Sequence, residues 1–430
     1  MMTDIGWLLA DDQVIDWRVK AFGPGQQGHT VAELIARGTT LADLPTPLVT
    51  LDASAIEHNE AVMTCWIRGH GVELAPHGKT SMAPALWHRQ LASGAWGLTV
   101  ATPWQLRVAV ASGVQRIQHA GAVVDSRELR HIGALRLENP ELEIVVWADS
   151  VATVALMVAG YPSCAPPLAV LVERGGPGAR TGARTASELL DVASAVTSAP
   201  QLRLAGVAAW EGSLQGAAAA GGLEIVARFC DSIAQSFVDL ESRGLFPANS
   251  LPILTAGGSA YFDIVTSRWE FLSQGSAPRA RVVLRSGCYL THDHGLYSKM
   301  SPFARATGPR LVPALHGWAR VVSRPEPGLA LLDAGRRDLS FDQNLPRPLR
   351  VRERDSAASG RALTGARIIR LDDQHAHLAL ESSSDLAVGE VVQLGVSHPC
   401  TTMDKWTVIP VVADADAVSP QLVGAVRTVF

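Results

Sequence analysis

The sequence predicts an α/β protein of two domains, a (β/α)8 TIM barrel followed by a C-terminal antiparallel β domain. Two observations carry this. From about residue 70 to 290, eight short apolar runs alternate with amphipathic segments of helical length. Continuous apolar strands separated by helices make a parallel sheet covered on its faces, and eight such units in a row close it into a barrel. After Leu290 the long helices stop, and strands separated by Pro- and Gly-bearing turns follow one another, the pattern of an antiparallel sheet.

The barrel strands are expected at Glu73–Pro76, Trp96–Val100, Arg116–His119, Glu143–Trp147, Leu168–Val172, Leu204–Ala209, Leu251–Thr255 and Arg281–Leu284. Helices are expected between them, as at Ser54–Gly69, Met82–Ser93, Pro103–Ser112, Val151–Ala159, Ala186–Thr197 and Ile225–Arg243. The β domain should use Leu311–Val322, Gly328–Asp333, Ala366–Leu371, Ala376–Glu381, Glu390–Gly395 and Thr407–Val412, with Leu48–Leu51 joining it rather than the barrel. The first forty residues read as a helical extension. The division is therefore 1–52 for the extension and that strand, 53–300 for the barrel and 301–430 for the β domain, within the range of a 430-residue chain.

Composition narrows the function class. With 47% hydrophobic and 18% charged residues, the chain suits a filled core rather than a disordered or fibrous state. A formal net charge of −4 and no long basic run point away from nucleic acid or an anionic membrane as partner. Met1-Met2-Thr3-Asp4 lacks the basic start of a secretory signal, and no apolar stretch is long enough to cross a bilayer. Cys65, Cys164, Cys230, Cys288 and Cys400 are odd in number and scattered, so most read as buried apolar side chains in a reducing cytoplasm. Only four of the 37 basic residues are lysines: Lys20, Lys79, Lys299 and Lys405.

Barrel active sites sit on the loops after the strands, and phosphate sites commonly use the loops after strands seven and eight. The first strand leads into His77-Gly78-Lys79-Thr80, the fifth into a glycine-rich loop ending Arg180-Thr181-Gly182, and the sixth into Trp210-Glu211. The seventh leads into Gly257-Gly258-Ser259 and a helix, and the eighth into Ser286-Gly287-Cys288-Tyr289 and His292-Asp293-His294. Gly-Gly-Ser alone is more often a turn. Paired with Ser286-Gly287 it suits an anion, because glycine lets backbone amides approach closely and a following helix points its positive end there. A phosphate on one wall and a lysine at a strand end fit pyridoxal phosphate held as a Schiff base on Lys79. Without the phosphate loops, Lys79 would read as an ordinary loop lysine.

Pro76-His77-Gly78-Lys79-Thr80, with Leu51-Asp52 and Asn59 upstream, resembles the fold-type III pyridoxal-phosphate enzymes of alanine racemase-like fold. Within them the chain is most similar to the D-threonine aldolase and D-serine dehydratase family. The Arg180 loop, Gly257-Gly258-Ser259, Arg285-Ser286-Gly287-Cys288-Tyr289 and His398-Pro399-Cys400 match in order and spacing, over roughly residues 45 to 430. The resemblance implies Lys79 as the Schiff-base lysine and the base at Cα. It implies Gly257, Gly258, Ser259, Gly287 and Tyr289 around the phosphate, with Arg180, His77 and Trp210 near the ring. It also implies a divalent metal, zinc first, on His398 and Cys400, and a homodimer in which the β domain of one subunit completes the other's site.

On spacing alone, His398 reads as a loop histidine and Cys400 as a buried thiol. Imidazole and thiolate are nevertheless good zinc ligands, and two of them leave positions open for substrate. The resemblance ties His-x-Cys to the dehydratases, where the aldolases typically have aspartate second. The expected activity is therefore dehydration of a D-β-hydroxy amino acid, D-serine or D-threonine, to a 2-keto acid and ammonia. The alternatives are retro-aldol cleavage to glycine and an aldehyde, a racemase, and a non-catalytic pyridoxal-phosphate-binding protein. His292-Asp293-His294 reads as a pocket lining or a buttress to the metal, and His375 with His377 as surface histidines on one strand face. Asp333-Ala334-Gly335, with Ser340 and Asp342, reads equally as a loop reaching a partner's site or as a hydrogen-bonded turn. Trp210 and Trp318 read as core, although Trp210 stands where many relatives have tyrosine, and Ser81-Met82 replaces a polar or basic pair.

Overall fold

The computed structural model describes residues 14–352 and 360–430. Met1–Asp4, read above for a leader, lies outside them. The chain divides into two compact units: Thr64–Lys79 with Gln90–Gly287, and Met1–Met63 with Thr80–Arg89 and Cys288–Phe430.

The first unit is the barrel. Its eight parallel strands are Glu73–Leu74, Leu98–Val100, Arg116–His119, Glu143–Ala148, Leu168–Arg174, Leu202–Ala209, Ile253–Ala256 and Arg281–Leu284, the second to the eighth pairing in sequence order and the first with the eighth. Closure between the first two strands comes from Trp96 N–H to Leu74 O at 2.7 Å and Thr99 N–H to Pro76 O at 2.9 Å. Ala75, Val145, Trp147, Ala169, Leu171, Ala205 and Val283 fill the interior. The alternation Val145/Trp147 and Ala169/Leu171 is the two-residue period of a strand whose every second side chain points inward. Small alanines on neighbouring strands make room for Trp147.

Helix starts follow their caps. Thr102 with Pro103 opens Pro103–Ala111, Asp125 opens Ser126–Glu138, and Thr185 with Glu188 forms a capping box on Ala186–Thr197. At Gly206, φ is +148° and an added Cβ would lie 1.9 Å from Ile253 O. No larger residue fits there, and the fifth and sixth strands shift register beside it, between Val170 and Leu171.

The second unit holds a ten-stranded sheet built on Leu315–Glu326. Leu48–Asp52 lies in it, antiparallel to Leu315–Glu326 (Leu48 opposite Trp318) and parallel to Val408–Val412. The sheet is thus not purely antiparallel. Strands at Arg347–Arg352, Arg361–Ala362 and Leu422–Arg427 were not expected. The extension proves mostly turns, with one described helix at Val31–Ala36. Trp318 and Trp406 are fully buried, and their indole N–H groups donate to Thr50 Oγ1 at 2.8 Å and Asp338 O at 2.9 Å. Asn59, also fully buried, donates to Leu290 O and Val312 O and accepts from Val312 N–H. Three bonds from one side chain pin both ends of the segment that follows Cys288. Among the described residues, no helix is long and apolar enough to cross a membrane.

Candidate active site

In the barrel unit the strand ends bring most of the expected residues together. Lys79 lies in a single 3-10 turn, Gly78–Thr80, and is solvent-exposed. His77, two residues earlier, bridges to Thr99 of the second strand. Burial holds the His77 imidazole well below its ordinary value, with the positive charges of Lys79, Arg285 and Arg180 and the neighbouring His119 adding to it. His77 is therefore neutral, inside a ring of cations.

Arg285 is the buried member of that ring. Its guanidinium donates to Thr255 Oγ1 at 2.9 Å and to Ala209 O at 2.6 Å, and it lies 4.8 Å from the Trp147 ring. Burial pulls it down to about 10, opposed by the carboxylates of Glu211 and Glu173. Around it, His77 Nδ1, Gln118 Oε1, His119 Nε2 and Trp147 Nε1 are buried without a hydrogen-bond partner among the described residues. An unsatisfied buried polar atom costs about 1–3 kcal/mol. Four of them beside three cations suit a polar, anionic ligand.

The loops after strands seven and eight are tied together. Gly257 O accepts from Arg285 N–H at 3.1 Å and from Ser286 Oγ at 3.0 Å, and Gly257 itself has φ +79°. Their amides, however, already have a partner. Fully buried Glu211 takes the Gly257 N–H on Oε2 at 3.1 Å and the Gly258 N–H on Oε1 at 2.7 Å. The following helix begins only at Phe262, with no side-chain cap. Its positive end therefore starts four residues after Gly258, later than the sequence suggested.

Arg180 stacks its guanidinium 3.8 Å from the Trp210 ring, so Trp210 is half-buried and in use rather than core. Arg184 holds the Arg180 loop, donating to Ala179, Arg180, Thr181 and Gly182 carbonyls. Glu173, its carboxyl pushed up by burial, accepts from Thr181 Oγ1 at 2.8 Å. Beside this loop a cavity of about 500 Å³ is lined by Asp149, Ser150, Arg180, Thr181, Arg184 and Glu188, among others.

In the second unit, His398 Nδ1 meets Asp342 Oδ2 at 2.7 Å, and Thr401 Oγ1 donates to the other Asp342 oxygen at 2.6 Å. A carboxylate on one ring nitrogen fixes the tautomer and turns the other nitrogen to a ligand. Ser340 Oγ accepts from His398 N–H at 3.1 Å, so the Ser340 to Asp342 stretch serves the histidine of its own chain. Cys400 Sγ lies 3.7 Å from Cys288 Sγ and 3.6 Å from Thr80 Oγ1. Hydrogen bonds from Cys400 and Thr80 hold the Cys288 thiol below its ordinary value against burial. The Tyr297 hydroxyl is raised, by Cys288 first and then by burial. Among the described residues, no three His, Cys, Asp or Glu side chains gather as a ready metal-binding group.

These geometries are matched by sequence and structural likeness. Residues 314–412 match the putative serine dehydratase domain. A D-threonine aldolase from an Arthrobacter species is 26% identical over 380 residues, 88% of this chain and 91% of its own. The crystal structure of D-threonine aldolase from Filomicrobium marinum superposes with a TM-score of 0.74 at 27% identity, over 90% of this chain and 96% of that one. Over most of its length the chain is therefore similar to D-threonine aldolases. A cysteine-to-alanine variant of D-threo-3-hydroxyaspartate dehydratase, in its metal-free form, shares the fold at TM-score 0.69 and 22% identity, over 91% and 99% of the two chains.

The cationic ring with its unsatisfied buried polar atoms is the feature that would fit an anionic cofactor such as pyridoxal phosphate. Lys79 would hold it covalently, with His77, Arg180 and Arg285 near its anionic ring and Ser259 and Gly287 toward its phosphate. Three residues that touch expected site residues stand in motifs quoted from the sequence but were given no role there: Glu211, Arg285 and Cys288. For Glu211 the only signal was its place directly after Trp210 at the end of the sixth strand. Cys65 and Cys164 are exposed, contrary to the buried reading, whereas Cys230 and Cys288 are buried.

His292 is buried and His294 half-buried, with imidazoles pushed down by desolvation to about 4 and about 3, and buried Asp293 is pushed up to about 7. Asp293 accepts Gly295 and Tyr297 N–H groups, and His294 packs edge-on against His316. This cluster shapes the turn. Asp333 is spent on Thr46 Oγ1 and Arg320 N–H, the hydrogen-bonded turn of the two readings. His377 pairs with Asp372 at 2.8 Å, while His375 sits in the turn before the strand rather than on it.

Proposed function

We propose that the protein is a pyridoxal-phosphate- and metal-dependent lyase that converts a D-configured β-hydroxy amino acid, D-serine or D-threonine first, to a 2-keto acid and ammonia. The observation that carries this reading is His398-x-Cys400 with Asp342 on the imidazole Nδ1, a nitrogen and a sulfur donor of the kind the resemblance ties to the dehydratases. Pyridoxal phosphate supplies an electron sink at Cα when bound, and a divalent metal supplies a Lewis acid at the β-oxygen.

The chain's own residues do the rest. Lys79 offers an accessible amine at the end of the first strand; it would hold the cofactor and, as a free amine, would take the Cα proton. His77, kept neutral, offers hydrogen bonding without another charge. Arg180, its guanidinium 3.8 Å from the Trp210 ring, offers a cation for a substrate carboxylate. His398 and Cys400 would hold the metal, the histidine oriented by Asp342.

Retro-aldol cleavage is favoured by a different observation: the full-length similarity at 26–27% is to D-threonine aldolases. Product identity separates the two. Purified protein is incubated with D-serine or D-threonine, with and without a strong chelator. Keto acid and ammonia that the chelator abolishes and zinc restores support the dehydratase. Glycine with an aldehyde replaces it by the aldolase. Retained cofactor with neither product leaves a binding protein.

A further inference from the structure

Cys288 directly follows Gly287 in the chain, and Thr80 directly follows Lys79, yet neither has a task in the reading above. Both are buried, at 5% and 4% exposure. With Cys400 they form a nearly equilateral triangle of donor atoms. The Cys288 and Cys400 sulfurs are 3.7 Å apart, and Thr80 Oγ1 lies 3.7 Å from the first and 3.6 Å from the second.

Those lengths can be set against a tetrahedral ion. Zinc binds sulfur at about 2.3 Å and oxygen at about 2.1 Å, so two sulfurs on one ion stand about 3.8 Å apart and a sulfur and an oxygen about 3.6 Å apart. The triangle has the edges of one face of such a site. Weak S–H hydrogen bonds account for the spacing when no ion is bound, and the same atoms are placed to exchange protons for a cation. The segment carrying Cys288 is held at its far end by Asn59, so the spacing is built by the fold rather than by a mobile loop. No third carboxylate or imidazole is required, because the third corner is a hydroxyl.

We propose that the metal site of this protein is a two-sulfur site, with Cys288 a ligand beside Cys400 and Thr80 Oγ1 at its border. The ion is a thiophilic divalent cation, zinc above magnesium or manganese. This rests on the metal part of the function proposed above and adds a second sulfur to its ligand set, which there is one sulfur and one nitrogen. Each thiol releases its proton to solvent as its Sγ–metal bond forms, and no oxidant is involved.

The test is zinc K-edge X-ray absorption on full-length, pyridoxal-phosphate-loaded protein reconstituted with one equivalent of zinc. Two sulfur scatterers are expected, falling to one in Cys288→Ser and to one in Cys400→Ser, with the visible absorbance of the cofactor unchanged in both. The same samples at a series of free zinc concentrations should show Cys288→Ser binding at least tenfold more weakly. One sulfur in the unsubstituted protein, unchanged by Cys288→Ser, overturns the two-sulfur site and leaves His398 and Cys400 as the pair. Zinc that does not bind at all overturns both readings.

Discussion

The barrel unit and the β-rich unit prepare for their ligands in opposite ways. The barrel gathers charge: Lys79, Arg180 and Arg285 around a neutral His77, with buried polar atoms left unsatisfied among them. The other unit gathers polar groups that already satisfy one another, the Cys288, Cys400 and Thr80 triangle and the His398–Asp342 pair. The first arrangement is costly until filled. The second rests comfortably without an ion, which is why it looks like ordinary packing.

If that contrast is real, substitutions should separate the two sites. The largest effect is expected from Lys79→Ala. Turnover should fall about a thousandfold or more for loss of the proton-transfer group, and the visible absorbance of the covalently held cofactor should vanish while zinc affinity stays unchanged. Asp342→Ala should act on the other side only. Freeing His398 Nδ1 is expected to weaken metal binding about 10- to 100-fold, read by competition with a chromogenic chelator, with no change in cofactor affinity. Loss of cofactor in that variant would break the separation.

Glu211→Ala tests the barrel loops. Two amides lose a carboxylate worth about 1.5–3 kcal/mol as an acceptor, so the dissociation constant for pyridoxal phosphate should rise about tenfold or more by fluorescence titration. Unchanged affinity would show that the loop needs no seat.

The smallest effect concerns acid. The His294 imidazole, ordinarily near 6.5, is pushed down to about 3 by burial. The unfolded chain therefore binds this proton before the folded one does, and stability is lost as pH falls from about 6.5 toward 3. His294→Gln should flatten that decline, seen as a smaller drop in Tm between pH 7 and pH 4. An unaltered slope would place the acid sensitivity elsewhere.

How far the sequence revealed this depends on what each residue does locally. Barrel strands were legible because their interior and exterior faces are both apolar, as in Leu168–Arg174, buried at its first six positions. Arg347–Arg352 was missed because three arginines and a proline hide its alternation, and its pairing with Val391–Gly395 is set by distant residues. Lys79 and the glycine loops stood out through order along the chain. Glu211 did not: its work is a bond to amides 46 and 47 positions away. Cys288 looked like any buried thiol, since its meaning lies in a neighbour 112 residues on. Asp342 read equally as part of a reaching loop or of a hydrogen-bonded turn, and its bond to His398 joins residues 56 positions apart.

The Glu211 seat also bears on the order of events in the life of the molecule. A loop whose two amides are already fastened to a buried carboxylate acquires its shape as the polypeptide folds, not when a vitamin-derived guest arrives. The ordering entropy of Gly257 and Gly258 is then charged to folding, leaving less to be lost on ligand capture. On the proposed function, the chain is expected to fold without the vitamin-derived group and to be loaded afterwards, the cofactor a late arrival rather than a template.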